Sequence, residues 1–557
     1  MLKEDLQKII KGEVKDDPET LKKYSRDASI FDIKPKAVVF PRDSADIGEL
    51  VRYVSEHKEA ERDLSLTVRS GGTDMSGGPL SESLVLDVTA HLNKIHEVTN
   101  EYAIMEPGVY YRDLDKETRQ RDVFMPAYPA SRDIATVGGM TANNSGGEKT
   151  PAYGKVEKFV EELSVVLSDG NEYVIKPLTK AELDAKMKLE SFEGKLYRDL
   201  YKLLTENADL IKKAKPNVSK NSAGYYLWNV VGANFGAGDP AKGGIDDKFD
   251  LTQLIVGSQG TLGIITKVKF RLVRVKPVSK MAVMFLHKLD HLGEAILDVS
   301  KLEPESLESY DDKTLRLAIR FFMDIVRILK PKNVLVLAWK VLPEILHIIF
   351  GGMPKLVVMA EFTGENEAEV DAKLAQVVEH MKKFKVRVHI TTSQEEANEY
   401  WTIRRESFGL LRAKVTSKLA APFIDDFCVR PEVLPEFLPK LTVILERAKI
   451  RYAIQGHPGD GNFHIFPLLD VKDPAQRALI PKLSDEVYSL VLEYKGSITA
   501  EHNDGLIRTP YLEKMYGPDV IRLFEKTKLI FDPKNIFNPG KKVWGNLAYA
   551  MAHIKRG

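Results

Sequence analysis

The sequence predicts an α+β chain built from two large parts. Three observations predict it. Helices and short strands alternate through the first third, three glycine- and hydroxyl-rich loops interrupt that region, and strand–helix–strand units take over from about Pro277. The last pattern is what an antiparallel sheet carrying helices on one face would show. The length of 557 residues admits two large domains, or three or four of ordinary size.

The elements follow in order. In AVVFPRDSADIGELVRYVSEH, apolar residues recur at Ile47, Leu50, Val51 and Val54, one face of a helix with Ser44 as N-cap. LSLTVRS reads as a strand entering the loop GGTDMSGG, and SLVLDVT and EYAIMEPGV read as two further strands. Tyr111 to Arg121 has a helical pattern. VEELSVVLSDGNEYVIKP is a hairpin turning at Asp169-Gly170. Leu178 to Phe249 is charged and mostly helical, and DLTQLIVGSQGTLGIITKVKFRLV reads as two β-rich segments around a glycine break. Beyond Pro277 come KMAVMFLH, a helix, KLVVMAEFTG, a helix from Glu365, and FKVRVHI. The stretch from Pro510 is helical and ends in the proline-punctuated IFDPKNIFNPGKK.

Composition narrows the function. Lys plus Arg is 81 and Asp plus Glu is 80, which excludes a globally basic nucleic-acid binder. One cysteine, Cys428, excludes an internal disulfide framework, a cysteine zinc site and a cluster ligated by these residues alone. The start MLKEDLQKII lacks a long apolar run and no stretch is apolar enough to span a bilayer, so a cytoplasmic enzyme is expected.

RSGGTDMSGG alone suits a structural turn as well as a phosphate cradle, and it is neither a Walker loop nor a Rossmann fingerprint. TVGGMTANNSGG and GSQGTLGII add two more loops of the same character. In QGHPGDGNFH, His457 and His464 flank a turn that can bring both rings to one point, and SITAEHNDG adds Glu501 beside His502. Two histidines and a carboxylate with open positions suit a catalytic divalent ion. A fixed carboxylate anchor is best supplied by arginine, and YWTIRRESFG offers Arg404 and Arg405.

PRDSADIGELV, RSGGTDMSGG, SRDIATVGGMTANNSGG, YGK, LSDG and GSQGTLGIIT resemble the successive FAD-contacting segments of vanillyl-alcohol-oxidase-type flavoproteins. GH-x-GDGN-x-H and AEH narrow the resemblance to the FAD-linked D-2-hydroxyacid dehydrogenases, which include D-lactate and D-2-hydroxyglutarate dehydrogenases and the glycolate oxidase flavin subunit. The resemblance implies an FAD-binding domain of PCMH type over 1–275 and a substrate, or cap, domain over 276–509 with a helical insertion near 315–354. A C-terminal segment, 510–557, would return to the FAD domain. It further implies that Ser70, Gly71, Gly72 and Thr73, with Gly138, Gly139 and Gly147, wrap the pyrophosphate. Ser131, Thr136 and Ser145 would be hydroxyl partners, and Gly260, Thr261, Gly263 and Ile264 would lie along the ADP and ribityl portion. Arg69, Asp74, Ser76, Gly77, Asn143, Gly146 and Asn538 complete the implied cofactor set. Thr73 stands where covalent relatives carry a linking histidine, so FAD is expected to be dissociable.

The same resemblance carries His457, His464 and Glu501 over as ligands of zinc or manganese, His502 as acid/base, Asn462 as a polar contact to substrate or flavin, and Arg404 as carboxylate anchor. Hydroxyglutarate-specific relatives have a lysine before the aspartate in APFIDDFCV; this chain has Ile424 before Asp425, which favours smaller 2-hydroxy acids. The expected reaction is FAD-dependent oxidation of a D-2-hydroxy acid. The alternatives are a redox-neutral enzyme of the alkylglycerone-phosphate synthase type and a flavin subunit active only in a respiratory complex. The electron acceptor stays open between a quinone, a cytochrome, an electron-transferring flavoprotein, an iron–sulfur subunit and oxygen. Leu315 to Pro354 combines apolar helical spacing with six cations against two acids, so peripheral contact with an anionic membrane is expected. Packing against its own domain or a second copy of the chain is the alternative.

Overall fold

The computed structural model describes residues 2–235, 247–320, 352–414 and 419–556, with side chains except at 317, 318 and 406–414. Most of the segment expected to meet a membrane, 321–351, lies outside the described residues.

A four-stranded sheet opens the FAD-binding half. Its order is Glu13–Lys15, Ala37–Phe40, Leu84–Asp87, Leu66–Arg69; the first pair is antiparallel and the other two parallel. The helix Ser44–His57, with Ile47, Leu50, Val51 and Val54 buried, carries the chain from Ala37–Phe40 over to Leu66–Arg69 on the far side of Leu84–Asp87, the crossover that parallel strands need. Its N-cap is Asp43, not Ser44: the Asp43 carboxylate accepts the Asp46 N–H at 3.0 Å, and Ser44 is the first helical residue. A five-stranded antiparallel sheet follows, ordered Ile95–Val98, Tyr102–Met105, Ile264–Arg271, Val160–Val166, Glu172–Ile175. Its last hairpin turns through Gly170 at φ 79°, a conformation that costs glycine little.

The segment ahead of the third glycine loop is not a strand. Thr252–Ile255 is a single helical turn, because Asp250 accepts the Thr252 N–H at 2.9 Å and its hydroxyl at 2.6 Å. Such a local carboxylate bond competes with a strand ladder.

An eight-stranded antiparallel sheet forms the other half. Its order is Arg387–Ile390, Val278–Leu286, Leu356–Gly364, Ser306–Asp311, Arg451–His457, Asn462–Leu469, Leu419–Ala420, with Phe427–Cys428 also paired to Asn462–Leu469. Both faces carry helices, against the expectation of one. Ala282, Met284 and Leu286 meet Leu292–Ser300 and Glu367–Lys382 on one side. Met281, Val283 and Phe285 meet Ala397, Tyr400 and Trp401 of the helix Gln394–Lys414 on the other. A strand of near-continuous apolar residues is what two covered faces require. That second helix brings Arg404 and Arg405 to the site.

The helix Leu512–Phe531 breaks at Gly517 ahead of Pro518, and the chain then returns to the first sheet, where Phe537 bridges to Leu66. Among the described residues no helix is long and apolar enough to cross a membrane.

Candidate active site

Strands Arg451–His457 and Asn462–Leu469 pair with Gln455 opposite His464 and His457 opposite Asn462. Alternation along a strand puts Gln455 and His457 on one face, and His464, opposite Gln455, shares it. The turn between them passes through Gly461 at φ 65°, where a Cβ would fall 1.8 Å from the Val429 carbonyl oxygen. The spacing G-H-P-G-D-G-N-F-H therefore folds two imidazoles together.

A second loop meets them. The buried Asp426 Oδ2 accepts the Thr499 hydroxyl at 2.6 Å and the N–H groups of Ala500, Glu501 and His502 at 2.9, 2.9 and 2.7 Å. Wrapped on this carboxylate, residues 499–502 aim Glu501 and His502 at the histidines. His457 Nε2 lies 3.0 Å and His464 Nε2 3.2 Å from the same oxygen, Glu501 Oε1. The His464 Nδ1 donates to the Asp425 carbonyl at 2.8 Å, so that nitrogen carries the proton. Burial lowers the His464 imidazolium. In the neutral ring the Nε2 lone pair then faces a carboxylate oxygen, an arrangement that a cation between them satisfies.

His464, Glu501, His502 and Asp426 also gather ligand atoms within 4.8 Å of one another. Asp426 holds four donors on Oδ2 and the Asn462 amide on Oδ1, and His502 Nδ1 is 2.7 Å from Asp425 Oδ2. His457, expected as a ligand, is outside that group: its Nδ1 is bound to Glu308, and its Nε2 faces Glu501 Oε1 beside His464 Nε2. Burial opposes charge on His502, but Asp426 and Asp425 outweigh it and raise the imidazolium to about 9. Burial likewise opposes ionisation of Asp425, yet the adjacent Arg508 holds it at about 2.

His457, His464, Glu501 and His502 line a cavity of about 630 Å³. Of the implied cofactor set, Ser70, Gly71, Gly72, Thr73, Asp74, Ser131, Thr136, Gly138, Gly139, Asn143, Ser145, Gly146, Gly260 and Gly263 line it. Arg404 lines it too. A Cβ at Gly71 would stand 2.5 Å from the Ile134 carbonyl oxygen, at Gly139 2.7 Å from Ser70 Oγ, and at Gly146 3.0 Å from Glu501 Oε2. The backbone itself is the wall, a cradle that suits close approach of a dinucleotide.

Arg69, Ser76, Gly77, Gly147, Thr261, Ile264 and Asn538, also expected at the cofactor, do not line the cavity. Asn538 is buried and ties loops together, donating to the carbonyls of Gly78 at 3.0 Å and Gln259 at 2.7 Å. Asn462 also lies off the wall, its amide spent on Asp426 Oδ1 at 3.3 Å and the Phe427 carbonyl at 3.0 Å. Arg404 is held by Glu308, through Nε at 3.0 Å, and by Gln455 at 2.9 Å.

Residues 276–542 match the C-terminal domain of FAD-linked oxidases, and residues 35–176 match the FAD binding domain. The chain thus carries both domains of an FAD-linked oxidase. Within this family's range, it is 28% identical over 544 residues to a D-2-hydroxyglutarate dehydrogenase of Pseudomonas putida, covering 95% of this chain and 50% of that protein. The chain thus spans about half the length of the D-2-hydroxyglutarate dehydrogenases it matches. It is 28% identical to the glycolate oxidase subunit GlcD of Bacillus subtilis, covering 93% of this chain and 91% of that one. A solved 4-ethylphenol oxidase from Gulosibacter chungangensis has the same fold, with TM-score 0.67 at 17% identity over 98% of this chain and 97% of that one.

Several residues of this FAD-linked oxidase site escaped the sequence reading: Glu308, Gln455, Lys220, Asp425, Asp426 and Arg508. Lys220 is wholly buried, 3.0 Å from Glu501 Oε2 and 3.2 Å from Asp460 Oδ2. The Asp425-Asp426 pair and the two-residue step from Gln455 to His457 were the available signals.

Proposed function

We propose that the chain oxidises D-2-hydroxy acids to 2-oxo acids, with FAD as the immediate electron acceptor and a divalent ion at His457, His464 and Glu501. The observation that carries this reading is one cavity whose glycine wall runs into the histidine cluster. Bound FAD supplies the two-electron acceptor, and a bound ion supplies positive charge beside the substrate hydroxyl. The chain's own residues supply orientation and proton transfer. Arg404, pinned by Glu308 and Gln455, keeps one N–H on each terminal nitrogen for the substrate carboxylate. His502 lines the cavity with Nδ1 fixed by Asp425, so Nε2 is the nitrogen that takes the hydroxyl proton when the ring is neutral, a form whose share grows as pH rises toward the raised value of about 9. As the C2–H leaves with its electron pair and the O–H loses its proton, the carbon becomes a carbonyl.

Electrons then pass to an acceptor outside these residues, and peripheral membrane contact through the 315–354 segment would bring a quinone within reach. The names of the D-2-hydroxyglutarate dehydrogenases and of GlcD support 2-hydroxy acids as substrates. Anaerobic bleaching of the flavin by a panel of D- and L-2-hydroxy acids tests the reading. Rapid bleaching by D-acids alone is expected; flavin that stays oxidised with every acid would overturn it.

A further inference from the structure

Two consecutive arginines reach the cavity, and their charges are balanced differently. Arg404, 6% exposed, shares Glu308 with His457: Arg404 lies on Oε2 at 3.0 Å, and His457 Nδ1 meets Oε1. Arg405 is clasped by Glu148, its Nε 3.1 Å from Oε2 and its Nη2 2.6 Å from Oε1. Glu148 is shared with Arg132, whose Nη1 lies 3.8 Å away, and it accepts the Tyr128 hydroxyl at 3.0 Å. Lys149 also acts on Glu148, but its own charge is met by Glu305 at 2.6 Å and Glu361 at 3.6 Å. Among the described residues, Arg405, Arg132 and Glu148 thus keep one positive charge in excess at the cavity.

The guanidinium of Arg405 is also well ordered for binding. Its two bonds to Glu148 use Nε and Nη2 and leave Nη1 with both hydrogens. Its plane sits over the Trp401 ring at 4.5 Å, and its side chain keeps 23% of its exposure on the cavity wall. A guanidinium whose geometry is fixed by a carboxylate on one edge binds a second carboxylate on the other with little further ordering cost. Meanwhile Ile424, where hydroxyglutarate-specific relatives place a lysine, is wholly buried and cannot serve.

We infer that Arg405 is a second anion anchor, backed by Arg132 across Glu148, and that the substrate is a 2-hydroxy acid carrying a second carboxylate at its far end. This inference rests on the dehydrogenase reading and reverses the preference for smaller acids that Ile424 suggested. Arg404 takes the carboxylate next to the reacting carbon, and Arg405 takes the distal one.

The test uses the FAD-loaded protein and two probes, D-2-hydroxyglutarate and D-lactate, with flavin bleaching followed anaerobically. Wild type should show a bleaching efficiency at least about tenfold higher with the diacid, the worth of one charge-assisted contact. Arg405→Gln should lower the diacid-to-monoacid ratio about tenfold or more, through half-saturation rather than maximal rate, and Arg405→Lys should recover part of it. Arg132→Gln alters a third-exposed side chain that leaves the core intact, and should lower the ratio about threefold. A wild type that prefers D-lactate, or variants that slow both acids equally, would overturn the anchor alone. Flavin untouched by either acid would overturn the dehydrogenase reading and the anchor with it.

Discussion

Asp425 and Asp426 are neighbours with separate tasks. Asp426 binds main chain and shapes the 499–502 loop, whereas Asp425 fixes the His502 ring and is itself fixed by the buried Arg508. The two histidine functions should therefore come apart in mutants. His502→Ala should slow flavin reduction by about a hundredfold with little change in half-saturation, the usual worth of a general base. His457→Ala should lose the divalent ion yet keep FAD, since the glycine loops proposed to hold the cofactor are other residues of the cavity lining. Stopped-flow reduction and elemental analysis check the pair. A His457→Ala protein with full metal content would remove that residue from the ligand set.

At the scale of elements, the glycine loops form the wall proposed to hold FAD, and Thr73 among them is no nucleophile for a flavin linkage. Thr73 lines the cavity where covalent relatives carry histidine. Acid precipitation should thus release all the yellow chromophore into the supernatant; flavin in the pellet would refute this. Local patterns made these elements legible: the stripe Ile47, Leu50, Val51, Val54, the Asp169-Gly170 hairpin and the His457–His464 turn all appear in the structure as elements the sequence had outlined. What escaped was set by partners far along the chain. Lys220 meets Glu501 across 281 positions, and Asp426 meets Glu501 across 75, so neither leaves a periodic trace. The turn Thr252–Ile255 escaped for the opposite reason, because a single Asp250 side chain decided it against the β-rich composition around it.

On the scale of the molecule, the active site exists only where the two halves meet. Glu148, Lys149 and Tyr153 of the first half hold Arg405 and Glu305 of the second, at 2.6 Å for both ion pairs and 2.8 Å for the tyrosine. Asn503 closes the seam by donating to the Gly257 carbonyl at 2.9 Å. Glu148 makes this contact sensitive to acid. Burial alone would raise its carboxyl, but Arg405, then Arg132 and Lys149, pull it down to about 2. In the unfolded chain the same group titrates near ~4.3. A depressed carboxyl contributes stability that is complete above the unfolded value and is lost as pH falls toward the folded one, here on the order of 3 kcal/mol. The urea midpoint should accordingly drop between about pH 4.5 and pH 2, and Glu148→Gln should flatten that slope while lowering the midpoint at pH 6, where Arg405 and Arg132 lose their shared anion. Equal slopes in wild type and Glu148→Gln would show that other carboxylates govern the acid limit.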